Sequence, residues 1–169
     1  MRLYIKLQQA LPQYDCIPIT EDNYIIVREV FDTNPEYFQL FGEIADDQSI
    51  LKSMHTVPEG FGFADKLFIA FCQDSETIAA IDLLVGYPDK DTVWLGLFLM
   101  HGNIRGKGVG TTIVNGIIHA AQSDGFDNIQ LGVMEANTGA VRFWKKMGFV
   151  HMRTSGDILV FQRSINESL

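Results

Sequence analysis

The 169-residue sequence predicts one mixed α/β domain, a single-layer sheet with helices on both sides. Three observations lead there. Thr92–Met100 (TVWLGLFLM) is apolar at nearly every position, as a central strand covered on both faces is. Val109, Ile113, Ile117 and Ala121 then recur every four residues, with Val114 and Ile118 beside them, which is the stripe of an amphipathic helix. After it, Ile129, Leu131 and Val133 alternate with Gln130, Gly132 and Met134, the period of a strand.

The remaining elements follow in chain order. Residues 1–10 and 16–19 read as short strands. Thr20 is placed to cap a helix beginning at Glu21, with Tyr24, Ile25, Val27 and Val30 as its apolar positions. Asn34-Pro35 is a cap followed by proline at the first helical position, so a short helix runs to about Gly42. Another helix spans residues 46–55, and Pro58-Glu59-Gly60-Phe61-Gly62 breaks regular structure. Lys66–Gln73 and residues 77–85 are strands joined by a turn at Asp74-Ser75-Glu76. Tyr87 to Asp91 turns the chain into the central strand. A helix over residues 138–147 stops at Gly148, and strands at 149–153 and 158–163 close a hairpin. No internal repeat or long linker divides the chain, so residues 1–169 read as one domain.

Composition narrows the function. The net charge of −8 opposes a nucleic-acid binder, which needs a basic face. Residues 1–65 carry 4 basic and 11 acidic side chains, against 9 and 10 in residues 66–169. That asymmetry serves solubility or attracts a cationic substrate. No apolar run is long enough to span a bilayer, the first residues lack a signal-peptide pattern, and Cys16 and Cys72 make no disulfide framework. A reducing cytoplasm is the expected compartment. His55, His101, His119 and His151 have no metal-ligand spacing, and no metal is expected.

The chemistry-bearing motif is Arg105-Gly106-Lys107-Gly108-Val109-Gly110, between the central strand and the helix. A dinucleotide-binding G-x-G-x-x-G fails because Thr111 stands where the third glycine belongs. A P-loop fails because Gly102 is too close to Gly106 and Gly108 follows Lys107. Arg-x-x-Gly-x-Gly remains. Glycines let a phosphate approach the backbone, and the amides opening a helix lack intrahelical acceptors. Two readings stand: a diphosphate cradle, or a glycine-rich turn that holds no ligand.

With its neighbours the motif resembles the GNAT superfamily of N-acetyltransferases, in particular bacterial members of unassigned substrate. The strand VWLGLFLM, the turn RGKGVG, its helix, the strand NIQLGVM and the segment from Asn137 through Ala140 to Phe143-Trp144-Lys145-Lys146-Met147-Gly148-Phe149 keep that family's order from about Leu67 to Arg153. The resemblance implies a mostly antiparallel sheet of six to seven strands. It implies a cofactor-binding core at 66–169 and helices on the acceptor side at 1–65. Acetyl-CoA would be the co-substrate. Arg105, Gly106, Lys107, Gly108, Val109, Gly110 and Thr111 would hold its pyrophosphate. The backbone of Leu99 and Met100 would pair with the pantetheine arm, Asn137 would bond it, and the helix carrying Trp144 would pack on it. The central strand and Asn128–Met134 would splay to admit the thioester. A neutral amine of a small molecule or peptide, cationic acceptors among them, would attack it directly, with a backbone amide near Leu99 stabilising the oxyanion. Lys145 and Lys146 would reach the phosphates or only complement the helix dipole.

Two positions depart from the family pattern. Trp144 stands where many members carry a tyrosine that protonates the departing thiolate, and an indole N–H has no useful acidity. Gly96 and Trp94 stand where members with a side-chain base carry Glu or His. Asp82, in the apolar run AAIDLLV, and Glu135, at the end of the next strand, are the candidate bases. A hairpin symmetric about Asp89-Lys90 sets Asp82 opposite Leu97, on the other side from Gly96. Tyr87 is a candidate lining residue, and His101 a minor one. The alternative function is a CoA-binding domain without catalysis. A homodimer is a further possibility.

Overall fold

Arg2–Ala10 form a helix, where a short strand over residues 1–10 is expected; residue 1 lies outside the described residues. Leu3, Leu7 and Leu11 stand four apart and are buried together, a helical stripe that outweighs the local β-propensity. A computed structural model describes residues 2–166. It shows α1 (Arg2–Ala10), β1 (Asp15–Pro18), a tight helical turn at Tyr24–Val27, α2 (Arg28–Asp32), α3 (Pro35–Gln39) and α4 (Asp47–His55). Then come β2 (Lys66–Gln73), β3 (Glu76–Val85), β4 (Thr92–Met100), α5 (Val109–Ser123), β5 (Asn128–Met134), α6 (Thr138–Lys146), β6 (Val150–Ser155) and β7 (Ile158–Ser164).

The helix expected at Glu21 starts later. Thr20 closes a turn instead, its Oγ1 accepting from the Asp22 amide at 3.2 Å and its amide donating to Asn23 Oδ1 at 2.8 Å. Side chains of this type compete for local backbone groups in just this way. Asp46 caps α4, accepting from the Ser49 amide at 2.9 Å while Ser49 Oγ accepts from the Asp46 amide at 3.0 Å.

The seven strands form one sheet in the order β1-β2-β3-β4-β5-β7-β6. Neighbours are antiparallel except β4 and β5, which run parallel across the α5 connection. One face packs on α1 and α5 through Leu7, Leu11, Ile113 and Ile117. The other packs on α2 and α4 through Val30, Phe31, Ile50 and Met54, and on α3 through Phe38. The sheet is therefore covered on both sides, and the site has to lie where a strand pair opens.

Gly116 sets how closely α1 meets α5, because a Cβ there would overlap the Leu11 side chain. Gly116→Val is expected to destabilise the fold by about 2 kcal/mol or more, read as a lower denaturation midpoint.

Candidate active site

β4 and β5 pair only from Thr92↔Asn128 to Leu95↔Leu131, although the strands continue to Met100 and Met134. Beyond Leu95 they part. The cause lies on β4: Asp82 is opposite Leu97 but Leu83 is opposite Leu95, so Gly96 is an extra, unpaired residue. Such a bulge bends its strand and resets the alternation of side chains. Val93 and Leu95 accordingly face the α1–α5 layer, whereas Leu97 and Leu99 face the α2–α4 layer.

The glycine turn sits at the open end. Gly106 and Gly108 have φ of +81° and +78°, values that a side chain strains, and nothing stands within 4 Å of where a Cβ would be. Among the described residues, the amides from Gly106 to Thr111 meet no acceptor; the first to do so is Thr112, at 3.2 Å from the Gly108 carbonyl. Of these residues, Gly106, Gly108, Gly110 and Thr111 line a cleft of about 630 Å³ walled by Met100, Phe143, Trp144 and Lys146. Arg105 lines this cleft but turns its guanidinium back, donating to the Thr33 carbonyl at 2.6 Å. Lys107 and Lys145 are exposed and line no part of it.

The two residues expected to meet the pantetheine arm present their backbones differently. The His101 amide donates to the Ile78 carbonyl at 2.8 Å, and Ala80 is opposite Leu99. Antiparallel alternation therefore turns the Leu99 amide and carbonyl toward β3, and those of Phe98 and Met100 toward the gap. The Met100 carbonyl there accepts from Asn34 Nδ2 at 2.8 Å, a buried contact that the sequence did not suggest. Asn137 Oδ1 caps α6, accepting from the Ala140 amide at 3.2 Å, while its side chain borders the gap. Trp144 is buried against Phe98, Phe143 and Phe149 and lines both the gap and the cleft.

A third cavity, of about 500 Å³, lies on the α3–α4 side and shares Tyr37, Phe41, Gly96 and Leu97 with the gap. The gap in turn shares Phe98, Ala140 and Trp144 with the cleft, so one passage crosses the sheet. Asp82 stands in the third cavity. It is opposite Leu97, but not through a hairpin symmetric about Asp89-Lys90: the strands pair about Asp89, as Leu83 with Leu95, and the unpaired Gly96 shifts the register by one, which also leaves Asp82 on the same side as Gly96. Its Oδ2 lies 2.9 Å from where a Cβ of residue 96 would be. Lys66 Nζ holds the same oxygen at 3.0 Å and donates to the Thr56 carbonyl at 2.6 Å, while Oδ1 is buried without a partner. Burial pushes the Asp82 carboxyl up to about 6 against the opposing pull of the Lys66 ammonium.

Glu135, the other candidate base, is exposed and lines neither the gap nor this third cavity. Its strand ends beyond the splay, which carries the side chain out to solvent. The cavity's other carboxylate, Glu43, is paired with Lys52, so its lining charges balance rather than forming an acidic basin. Tyr87 does line it. His101 is buried away from the passage, its Nε2 3.2 Å from Glu29 Oε1. Lys66 is not among the sequence candidates. The turn at Asp74-Ser75 alone would pair Lys66 with Leu83; an irregularity between Phe71 and Cys72 shifts the register so that Lys66 pairs with Leu84 and Phe68 with Asp82, which sets Lys66 diagonally across from Asp82.

Several solved acetyltransferases share this fold. The chain superimposes on an acetyltransferase from Thermus thermophilus with a TM-score of 0.76 at 22% identity, covering 90% of this chain and 97% of that one. PaiA N-acetyltransferase from Thermoplasma acidophilum, solved in complex with coenzyme A, gives 0.66 at 16% identity over 89% and 98%. The ribosomal-protein-S18-alanine N-acetyltransferase of Escherichia coli gives 0.63 at 12% identity over 92% and 96%. At these identities the likeness carries the fold. No curated protein matches the sequence. No helix among the described residues is long and apolar enough to cross a membrane. The acetyltransferase (GNAT) family model matches residues 28–149, a span that includes the bulged strand, the glycine turn and the helix bearing Trp144, and the chain belongs to that family.

Proposed function

We propose that the chain transfers an acetyl group from acetyl-CoA to the amine of a small molecule or peptide, by direct attack and with Asp82 as the base. The observation that carries this reading is the position of the Asp82 carboxylate: it fills the space that a side chain at Gly96 would take, at the mouth of the gap. The position that lacks a base on β4 is thus served from β3.

The free amides from Gly106 to Thr111 fit a diphosphate, since the helix dipole of α5 adds partial positive charge at the same point. The gap-facing backbone of Phe98 and Met100 suits the pantetheine arm, which would lie along β4 as an added strand. Asp82 would remove a proton from the entering ammonium, and Lys66 would hold the carboxylate in place. A gap-facing amide of β4, that of Phe98, would stabilise the oxyanion that develops on the thioester carbonyl. The thiolate would leave beside Trp144, which donates a hydrogen bond but no proton, and would take up from solvent the equivalent of the second proton that the attacking nitrogen gives up as the amide forms.

Calorimetry with CoA and thiol release from acetyl-CoA with an amine panel test this together. Binding with turnover supports it. Binding without turnover from any amine favours a non-catalytic CoA-binding domain, the reading to which Trp144 lends itself. Trp144→Tyr, which supplies an acidic hydroxyl beside the sulfur, is expected to raise kcat about tenfold. An unchanged kcat would place the slow step before thiolate departure.

A further inference from the structure

We infer that the acceptor is a primary monoamine carried on an apolar body about the size of one aromatic ring, with no charge besides the amine. The inference rests on the acetyltransferase reading of this site and adds the class of its acceptor. Three features of the acceptor-side cavity carry it.

The first is charge. The cavity's charged lining residues are Glu43, Lys52, Lys66 and Asp82, and they form two pairs, Lys52 with Glu43 and Lys66 with Asp82. A second ammonium on the acceptor would find no carboxylate that is not already held by a lysine, at the buried Asp82 or at the more exposed Glu43. A carboxylate on the acceptor would meet a Lys66 ammonium already engaged by Asp82 and the Thr56 carbonyl. Tyr37 adds no charge, because burial first, and then Glu43 and Asp82, push its hydroxyl up to about 12.

The second is the wall. Tyr87 and Trp94 line the cavity and meet edge to face with ring centres 5.6 Å apart, and Phe61, outside the lining, backs Tyr87 at 5.5 Å. Tyr37 and Phe41 stand together on the other side at 5.3 Å. Rigid rings of this kind receive a flat apolar body at little entropic cost.

The third is where the wall leads. The Trp94 indole passes 3.7 Å from the Cβ position of Gly96 and 3.6 Å from that of Gly132, so it lies across the two strands at the splay. A ring resting on Trp94 and Tyr87 would direct a short amine arm toward Gly96, beside the Asp82 carboxylate whose Oδ1 has no partner. The cavity of about 500 Å³ holds a single ring and its arm within the usual range of small-ligand sites.

The test is a set of acceptors compared by kcat/KM for thiol release at saturating acetyl-CoA: phenethylamine, butylamine, phenylalanine, spermidine and a tripeptide with a free amino terminus. Phenethylamine is expected to exceed phenylalanine, spermidine and the tripeptide by about tenfold or more. Preference for any of those three overturns the inference and leaves the acetyltransferase reading standing. No release from any acceptor overturns both. In Trp94→Leu, which keeps the wall apolar, the ratio of phenethylamine to butylamine is expected to fall about fivefold. An unchanged ratio would show that the wall does not receive the acceptor and would overturn the inference as well.

Discussion

Asp82→Asn is expected to lower kcat/KM for acetyl transfer about a hundredfold or more, the usual loss when a positioned base is removed. The substitution keeps the shape of the side chain and removes its charge, which Lys66 neutralises, together with its capacity to take a proton. CoA affinity, measured by calorimetry, is expected to stay the same, since the cleft lined by Gly106 and Gly108 does not include Asp82. The magnitude follows from the site. A buried carboxyl raised to about 6 is ionised at neutral pH yet more basic than an ordinary aspartate, which suits it to deprotonate an ammonium. The same shift has a cost. The folded chain holds this proton more tightly than the unfolded chain, whose aspartate has the ordinary value of 3.8. The stability linked to it is present in full below the unfolded value and is lost as the pH rises through about 6. An ionised Asp82 at neutral pH thus holds the fold roughly 3 kcal/mol below what a neutral group there would allow. Lys66 limits that cost from one side only, because Oδ1 stays unpartnered.

Gly108→Val is expected to weaken CoA binding about a hundredfold, from two additive causes. At φ +78° a β-branched residue is strained, so the turn relaxes and its amides lose their common aim. The new side chain also enters the open space that the diphosphate would use, where no atom now stands within 4 Å. Calorimetry with CoA reads the loss, and circular dichroism checks that the helix of residues 109–123 persists. An unchanged affinity would place the cofactor elsewhere.

The sequence and the structure agree where a pattern is local and strong. Lys66–Gln73, Thr92–Met100 and Asn128–Met134 begin and end where their apolar runs do, because a strand buried on both faces leaves few polar residues to blur its ends. The N-terminal helix is not legible in the same way, although Leu3, Leu7 and Leu11 carry its period, since a short stretch rich in long apolar side chains suits either state. The glycine turn is legible because spacing alone excludes the competing phosphate motifs. The face on which Asp82 lies is not. Symmetry about Asp89-Lys90 names Leu97 as its partner, but the strands pair about Asp89 and only the unpaired Gly96 brings Leu97 opposite; that glycine also changes which side chains share a face, and no residue type announces a bulge. The orientation of the Leu99 backbone likewise follows from the ladder, not from composition.

The pH dependence of kcat/KM, wild type beside Asp82→Asn, tests the central claim most directly. The wild-type profile is expected to fall on its acid side with an apparent pKa of about 6, as Asp82 takes up its proton and can no longer accept one. The variant is expected to lack that limb while sharing the alkaline behaviour set by the amine. An acid limb near the same pH in the variant would show that another group removes the proton, and Asp82 would not be the base.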